Sequence, residues 1–212
     1  MAYGGMYDQL GGGFARYSVD NFWKIPHFEK MLYDNALLLD IYSKSFVKYG
    51  NPLYRDIVYE TIGWLQREME LPEGGFSAAL DADTEGHEGA TYVWTPSQIC
   101  EVLGEELGTR FCAVYDISES GNFENGTSNP HMTEHDYLAR CELKEAREQL
   151  LALRQTRAQP GKDTKLVVFW NGMLIHALVE AAWVFGEPDW MKLAEKAAAQ
   201  IWDKCVHDEN KL

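Results

Sequence analysis

The 212-residue chain is 46% hydrophobic and 13% aromatic, with a formal charge of -14 and a pI near 4.8. Such a composition can bury a core and excludes a disordered chain. The acidic balance leaves no basic stripe to neutralise phosphates, which excludes nucleic acid and anionic membrane surfaces as expected partners.

The chain opens on MAYGGMYDQLGGGF, which is loop chemistry with no preceding element, and closes on DENKL after an amphipathic stretch. It therefore reads as a piece of a longer protein. Phe28, Met31, Leu32, Leu38, Leu39, Ile41, Tyr42 and Phe46 recur at three- and four-residue steps and predict a helix over 28–48, broken by Gly50, Asn51 and Pro52. Ile57, Val58, Ile62, Leu65 and Met69 mark a second helix over 53–70, which makes a helical hairpin with the first. GGFSAAL and ATYVW flank an acidic, glycine-bearing loop and read as a short strand pair. Thr95 as N-cap and Pro96 in the first turn start a helix through 103, and another is expected over 106–115. Residues 134–155 predict one long, solvated, ion-pair-laced helix. Asn171 is read as the cap of a helix through 184, after the brief apolar run LVVFW. A last helix is expected over 190–206.

GGGF at 11–14, EGGF at 73–76 and SGNF at 120–123 each lie between helical segments. This recurrence suggests an array of αα-hairpins around a shared concavity. Cys100, Cys112, Cys141 and Cys205 form no C-x-x-C and read as buried free thiols. No run approaches about 18 unbroken apolar residues and no basic-then-apolar leader is present, so neither a membrane span nor a signal peptide is expected. The expected location is cytoplasmic.

YDQLGGGFARYSVDNFWKIPHFEKMLYDNA, EGGFSAALDADTEGHEGATYVWTPSQI and KDTKLVVFWNGMLIHAL, in this order, resemble motifs of the family of spermatogenesis-associated protein 20 and its bacterial thioredoxin-domain-containing relatives. The resemblance implies a mainly α fold, a partial (α/α)6 toroid of the six-hairpin glycosidase type, akin to N-acylglucosamine 2-epimerases, with a short β-hairpin insert. It implies one partial toroid domain over 1–212, with a thioredoxin-like domain preceding it and further hairpins following. The chain departs from the family pattern at Lys162, Asp163, Thr164 and Lys165, where two aspartates and then a lysine are usual. It departs again at Val168 and Phe169, where Thr and Ser precede the shared Trp-Asn-Gly.

His27, Met31 and Asp34 fall at i, i+4 and i+7, which on a helix is one stripe, so His27 and Asp34 are candidate catalytic groups for proton transfer near neutral pH. The alternative is a helix-start histidine with a Lys30–Asp34 ion pair. Asp81 and Asp83 alternate along an extended segment and could divide acid and base roles on a glycosidic bond. DADTEGHEG also imitates a calcium loop, but Tyr92 stands where that loop needs glutamate, so no metal site is expected; otherwise the segment is a solvated turn. Trp170 and Asn171, Asp163 and Lys165, and Arg16 and Tyr17 are candidate substrate-binding residues. No P-loop, H-E-x-x-H, nucleophile elbow or dinucleotide fingerprint appears, and no cofactor is expected. The expected function is sugar-active acid-base chemistry, epimerase- or isomerase-like with histidines or glycosidase-like with Asp81 and Asp83, on a carbohydrate or other small polar ligand. The alternative is a non-catalytic toroid that binds a ligand or partner. Self-association of the chain is also expected.

Overall fold

The computed structural model describes residues 1–205. Strands β1 (Tyr17–Ser18), β2 (Pro26–His27) and β3 (Lys30–Met31) lead into helix α1 (Leu32–Tyr49) and then α2 (Pro52–Trp64), which continues as a π-turn over Leu65–Met69. Strands β4 (Ala79–Leu80), β5 (Asp83–Thr84) and β6 (His87–Glu88) follow, then α3 (Pro96–Leu103) and α4 (Glu105–Val114). After a 3-10 turn at Glu124–Gly126 come α5 (Tyr137–Glu142), α6 (Lys144–Arg154), β7 (Lys162–Asp163), α7 (Val168–Phe185) and α8 (Pro188–Cys205). The chain is mainly α, as its periodicity predicts. Residue 206, the expected end of the last helix, lies outside the described residues.

The segment before α1 differs from expectation. Residues 26–31 are extended, so His27, Met31 and Asp34 do not share a helical stripe. Burial alternates along it, with Pro26, Phe28 and Lys30 inside and His27 and Glu29 half-exposed. The governing period here is two. The backbone is taken up by antiparallel pairing, Tyr17 with His27 and Met31 with Ala79, and those ladders hold it open until Leu32.

Two compact units emerge. One comprises Lys30–Leu80 and the chain from Lys162. In it α1 packs on α2 and α7, and α7 on α8. Leu32, Leu39, Val58, Ile62, Trp64, Leu174, Leu178 and Trp190 share its core. Gly50 closes α1 with φ 62° and its N–H on the Phe46 carbonyl, and the Asn51 side chain caps α2 ahead of Pro52. The strands order as β3-β4-β7, all antiparallel. Asn171 lies inside the first turn of α7 rather than capping it, because the helix already starts at Val168. Its fully buried amide spans Phe76, accepting from Phe76 N–H at 2.8 Å and donating to Phe76 O at 3.0 Å. This fixes the EGGF turn, where Gly75 has φ 73° and a Cβ would lie 2.7 Å from Leu166 Cδ1. By length and composition alone α7 is apolar enough to cross a bilayer, a test that the core helices of other proteins also pass.

The other unit comprises Met1–Glu29 and Asp81–Gly161. Its core gathers Leu10, Trp94, Ile99, Phe111, Tyr115, Leu143 and Leu150. Thr95 and Gln98 form a capping box at the start of α3. The expected pairing of GGFSAAL with ATYVW does not occur. Ala79–Leu80 pairs with β3 and β7, β5 forms a hairpin with β6, and Trp94 bridges to Ser128. The single helix expected over 134–155 is two, broken at Leu143, and it is not solvated all round. Arg140, Arg147 and Arg154 stand seven residues apart and are buried at 1%, 5% and 3% exposure. Arg154 pairs with Asp8 at 2.7 and 2.8 Å, and Arg147 donates to the Gln9 carbonyl at 3.2 Å. Of the cysteines only Cys112 is buried, and burial together with the neighbouring Cys100 pushes its thiol up to about 11. Cys141 is exposed.

Candidate active site

The β1–β2 hairpin sets His27 opposite Tyr17, and their rings stack with centroids 4.9 Å apart and planes 18° from parallel. The β5–β6 hairpin carries Glu88, whose Oε1 lies 2.7 Å from His27 Nδ1 and also accepts the Phe28 N–H at 3.3 Å. An ionised carboxylate only accepts, so it takes the Nδ1 proton, and the imidazole in its neutral form presents its lone pair at Nε2. Glu29 stands two residues along the extended segment on the same side, its Oε2 3.8 Å from His27 Nε2 and 3.0 Å from Arg16 Nη1. The result is an imidazole held in one tautomer by one carboxylate, beside a second carboxylate that an arginine holds in place. Such an arrangement can accept a proton at Nε2 while Glu88 stabilises the resulting imidazolium.

Of the predicted residues, this unit brings His27, Arg16 and Tyr17 together. Asp83 lies on the same β5–β6 hairpin, in register opposite Glu88. Asp81 and Asp83 are both exposed, flanking buried Ala82, and Asp81 Oδ1 accepts the Asp83 backbone N–H at 3.3 Å. The Asp81 carboxylate is thus engaged in a local turn. Tight backbone supports this hairpin, with Glu85 at φ 54° and Gly86 at φ 81°.

The remaining predicted residues lie in the other unit, apart from this cluster. Asp34 is half-buried in the first turn of α1, where the helix dipole favours a carboxylate. Asp163 accepts from Lys165 twice, at 3.2 Å from its backbone N and 3.1 Å from Nζ, and this lysine holds its carboxyl below the usual range. Trp170 is half-buried and tilted against Tyr33 with centroids 5.0 Å apart, so its ring is a packing element. Asn171 is consumed by the Phe76 clamp. His176, on α7, has an exposed side chain 3.9 Å from Asp40.

Sequence reading missed Glu29, Glu88 and Arg157. The first two are visible only once 26–31 is extended and 83–88 is a hairpin. Glu88 also lines a cleft of about 530 Å3 together with His87, Gln98, Phe123, Asn125, Thr127 and Arg157. A second cleft of about 440 Å3 is bordered by Trp23, Lys24, His131 and His135. Burial there pushes His131 down, against the hydrogen bond to the Asn129 carbonyl and the Asp116 carboxylate 3.1 Å from its Nε2.

No family model matches the sequence. The chain is 32% identical over 221 residues to spermatogenesis-associated protein 20 of Rattus norvegicus, covering 88% of this chain and 28% of that protein. It is 29% identical over 233 residues to the Homo sapiens protein of the same name, and 35% identical over 249 residues to an uncharacterised protein of Caenorhabditis elegans, of which it covers 34%. The chain therefore spans between a quarter and a third of the length of the curated relatives it matches. Among solved structures it is similar to a D-mannose isomerase, with TM-score 0.34 and 14% identity, covering 91% of this chain and 46% of that one. It is also similar to cellobiose 2-epimerase from Spirochaeta thermophila, with TM-score 0.34 and 16% identity, covering 95% and 49%.

Proposed function

We propose, since this chain belongs to the family of spermatogenesis-associated protein 20, that it performs acid-base chemistry of the epimerase or isomerase kind on a small carbohydrate, with His27 as the group that moves the proton. The observation that carries this reading is the 2.7 Å contact between His27 Nδ1 and Glu88, which fixes the tautomer and leaves Nε2 as a base. Nε2 takes the proton from the carbon next to the carbonyl of an open-chain sugar. The C–H electron pair becomes the carbon–carbon double bond of an enediolate, and the carbonyl π pair moves onto oxygen. Return of the proton to the other face of that carbon, once the enediolate has turned that face toward Nε2, inverts it; return to the former carbonyl carbon, with the neighbouring hydroxyl proton passing to the former carbonyl oxygen as the new carbonyl forms, isomerises the sugar. Glu88 stabilises the imidazolium between the two transfers. The helical pairs α1–α2 and α7–α8 are, on this reading, hairpins of a toroid.

Hydrolysis is the weaker reading. A glycosidase needs a carboxyl kept protonated in an apolar pocket, whereas Asp81 and Asp83 both face solvent. The test uses the full-length protein with a panel of aldoses, ketoses and 2-acetamido sugars in D2O. Proton NMR should show solvent deuterium entering the carbon beside the carbonyl. His27→Gln should slow this exchange by roughly 10² or more while leaving thermal stability unchanged. Exchange that His27→Gln leaves intact, or its absence with every sugar, would overturn the proposal.

A further inference from the structure

We infer that the cleft beside Glu88 binds an oxyanion, a carboxylate or phosphate carried by the sugar, on the guanidinium of Arg157. Assigning that anion to the substrate rests on the acid-base reading of His27 and Glu88; the anion site itself does not.

Arg157 sits over Trp94, its guanidinium carbon 3.6 Å from the ring centroid, and Trp94 is itself fully buried. Its Nη1 donates to the carbonyls of Thr91 at 3.1 Å and Val93 at 2.9 Å. Among the described residues Nε and Nη2 have no acceptor, and no carboxylate forms an ion pair with this side chain. The charge that acts on it is another cation, Arg154, whose own charge is matched by Asp8. Burial, and then Arg154, push the Arg157 guanidinium down to about 10. In a chain with a formal charge of -14 a half-buried cation lacking a counter-ion is conspicuous, because desolvated charge is costly unless paired.

Stacking occupies the face of the guanidinium and leaves its in-plane N–H edge, which pairs with carboxylate or phosphate through parallel hydrogen bonds. Across the cleft the 3-10 turn at Glu124–Gly126 places Asn125 at φ 54°, a strained backbone for a non-glycine residue, and brings Thr127 to the wall. Glu124 and Glu88 are the carboxylates lining the same cleft. Glu88 is engaged with His27, whereas the Glu124 side chain makes no hydrogen bond or ion pair among the described residues and opposes an incoming anion.

The experiment titrates the full-length protein by calorimetry at fixed ionic strength with glucose, glucuronate, glucose 6-phosphate and inorganic phosphate. At least one sugar anion should bind at least ten-fold more tightly than glucose and more tightly than inorganic phosphate. Arg157→Lys should weaken that anion ten-fold or more. Glu124→Gln, which touches no structural bond, should tighten it several-fold. A purely structural Arg157 would change the melting temperature of Arg157→Lys but not the affinity of Glu124→Gln, and that result would overturn the anion site. Inorganic phosphate binding as tightly as both sugar anions would overturn the assignment to substrate. Anion binding without isotope exchange would sink the His27 chemistry alone, and exchange on neutral sugars without anion binding would sink the Arg157 assignment alone.

Discussion

Asp8 shows how much one buried carboxylate organises. Its oxygens receive both Nη1 and Nη2 of Arg154, and Oδ1 also accepts the Leu10 and Gly11 N–H groups at 3.1 and 2.9 Å. The pair is nearly dry, with 4% and 7% side-chain exposure. Gly11 is required beside it, since a Cβ there would fall 2.0 Å from Arg154 Nη2. The charged stripe of α6 is therefore what seats the first glycine-rich turn. Removing one partner of a buried, hydrogen-bonded ion pair strands the other charge, so Asp8→Ala should cost about 3–5 kcal/mol, well above the ~1 kcal/mol of an exposed pair. Arg154→Met should cost less, because Asp8 keeps its two backbone donors. Urea unfolding of both variants measures this, and a cost for Asp8→Ala under about 1 kcal/mol would show that the pair is not buried as described.

At the level of elements, α3 and α4 meet through Gly108. A Cβ on this residue would stand 2.8 Å from both Cα and Sγ of Cys100, against a backbone that cannot swing away. Gly108→Ala gains helix propensity of about 1 kcal/mol, but overpacking a helix crossing costs about 1–3 kcal/mol. The contact should win, giving a lower melting temperature, whereas Gly63→Ala on α2, with nothing within 4 Å, should raise it. Differential scanning fluorimetry decides both signs. The same contrast explains what the sequence could reveal. Helices were legible because a 3.6-residue stripe and local caps such as Thr95–Gln98 are written in adjacent residues. The strands were not, because each is two residues long and its partner is remote, as when Ala79 joins Met31 to Asp163. His27 was singled out on the wrong local geometry. Counting in fours put it on a helix, while the alternation that sets it beside Glu29 has a period of two. Glu88 and Arg157 carry no sequence signal, since the roles proposed for them depend on a hairpin and on a cation left without a carboxylate.

For the molecule as a whole, the unit built from α1, α2, α7 and α8 leaves large apolar side chains in water. Leu37 and Ile41 on α1 are each 55% exposed, and Phe169 and Trp183 on α7 are 73% and 79% exposed. Their spacings of four and fourteen residues place each pair on one helical stripe, so the exposed surface is patterned rather than scattered. Opposing association is the formal charge of -14, which repels a second copy until salt screens it. The two effects differ in range: screening shortens the repulsion to about 3 Å at 1 M salt, while burial of apolar area is unaffected or strengthened. This chain should therefore sediment as a monomer at low ionic strength and shift to dimers and larger species as sodium chloride approaches about 1 M. Trp183→Glu and Ile41→Lys should each restore the monomer at high salt without lowering the melting temperature, because neither side chain belongs to the core. A monodisperse monomer across the whole salt range in sedimentation velocity would show that these faces do not attract one another.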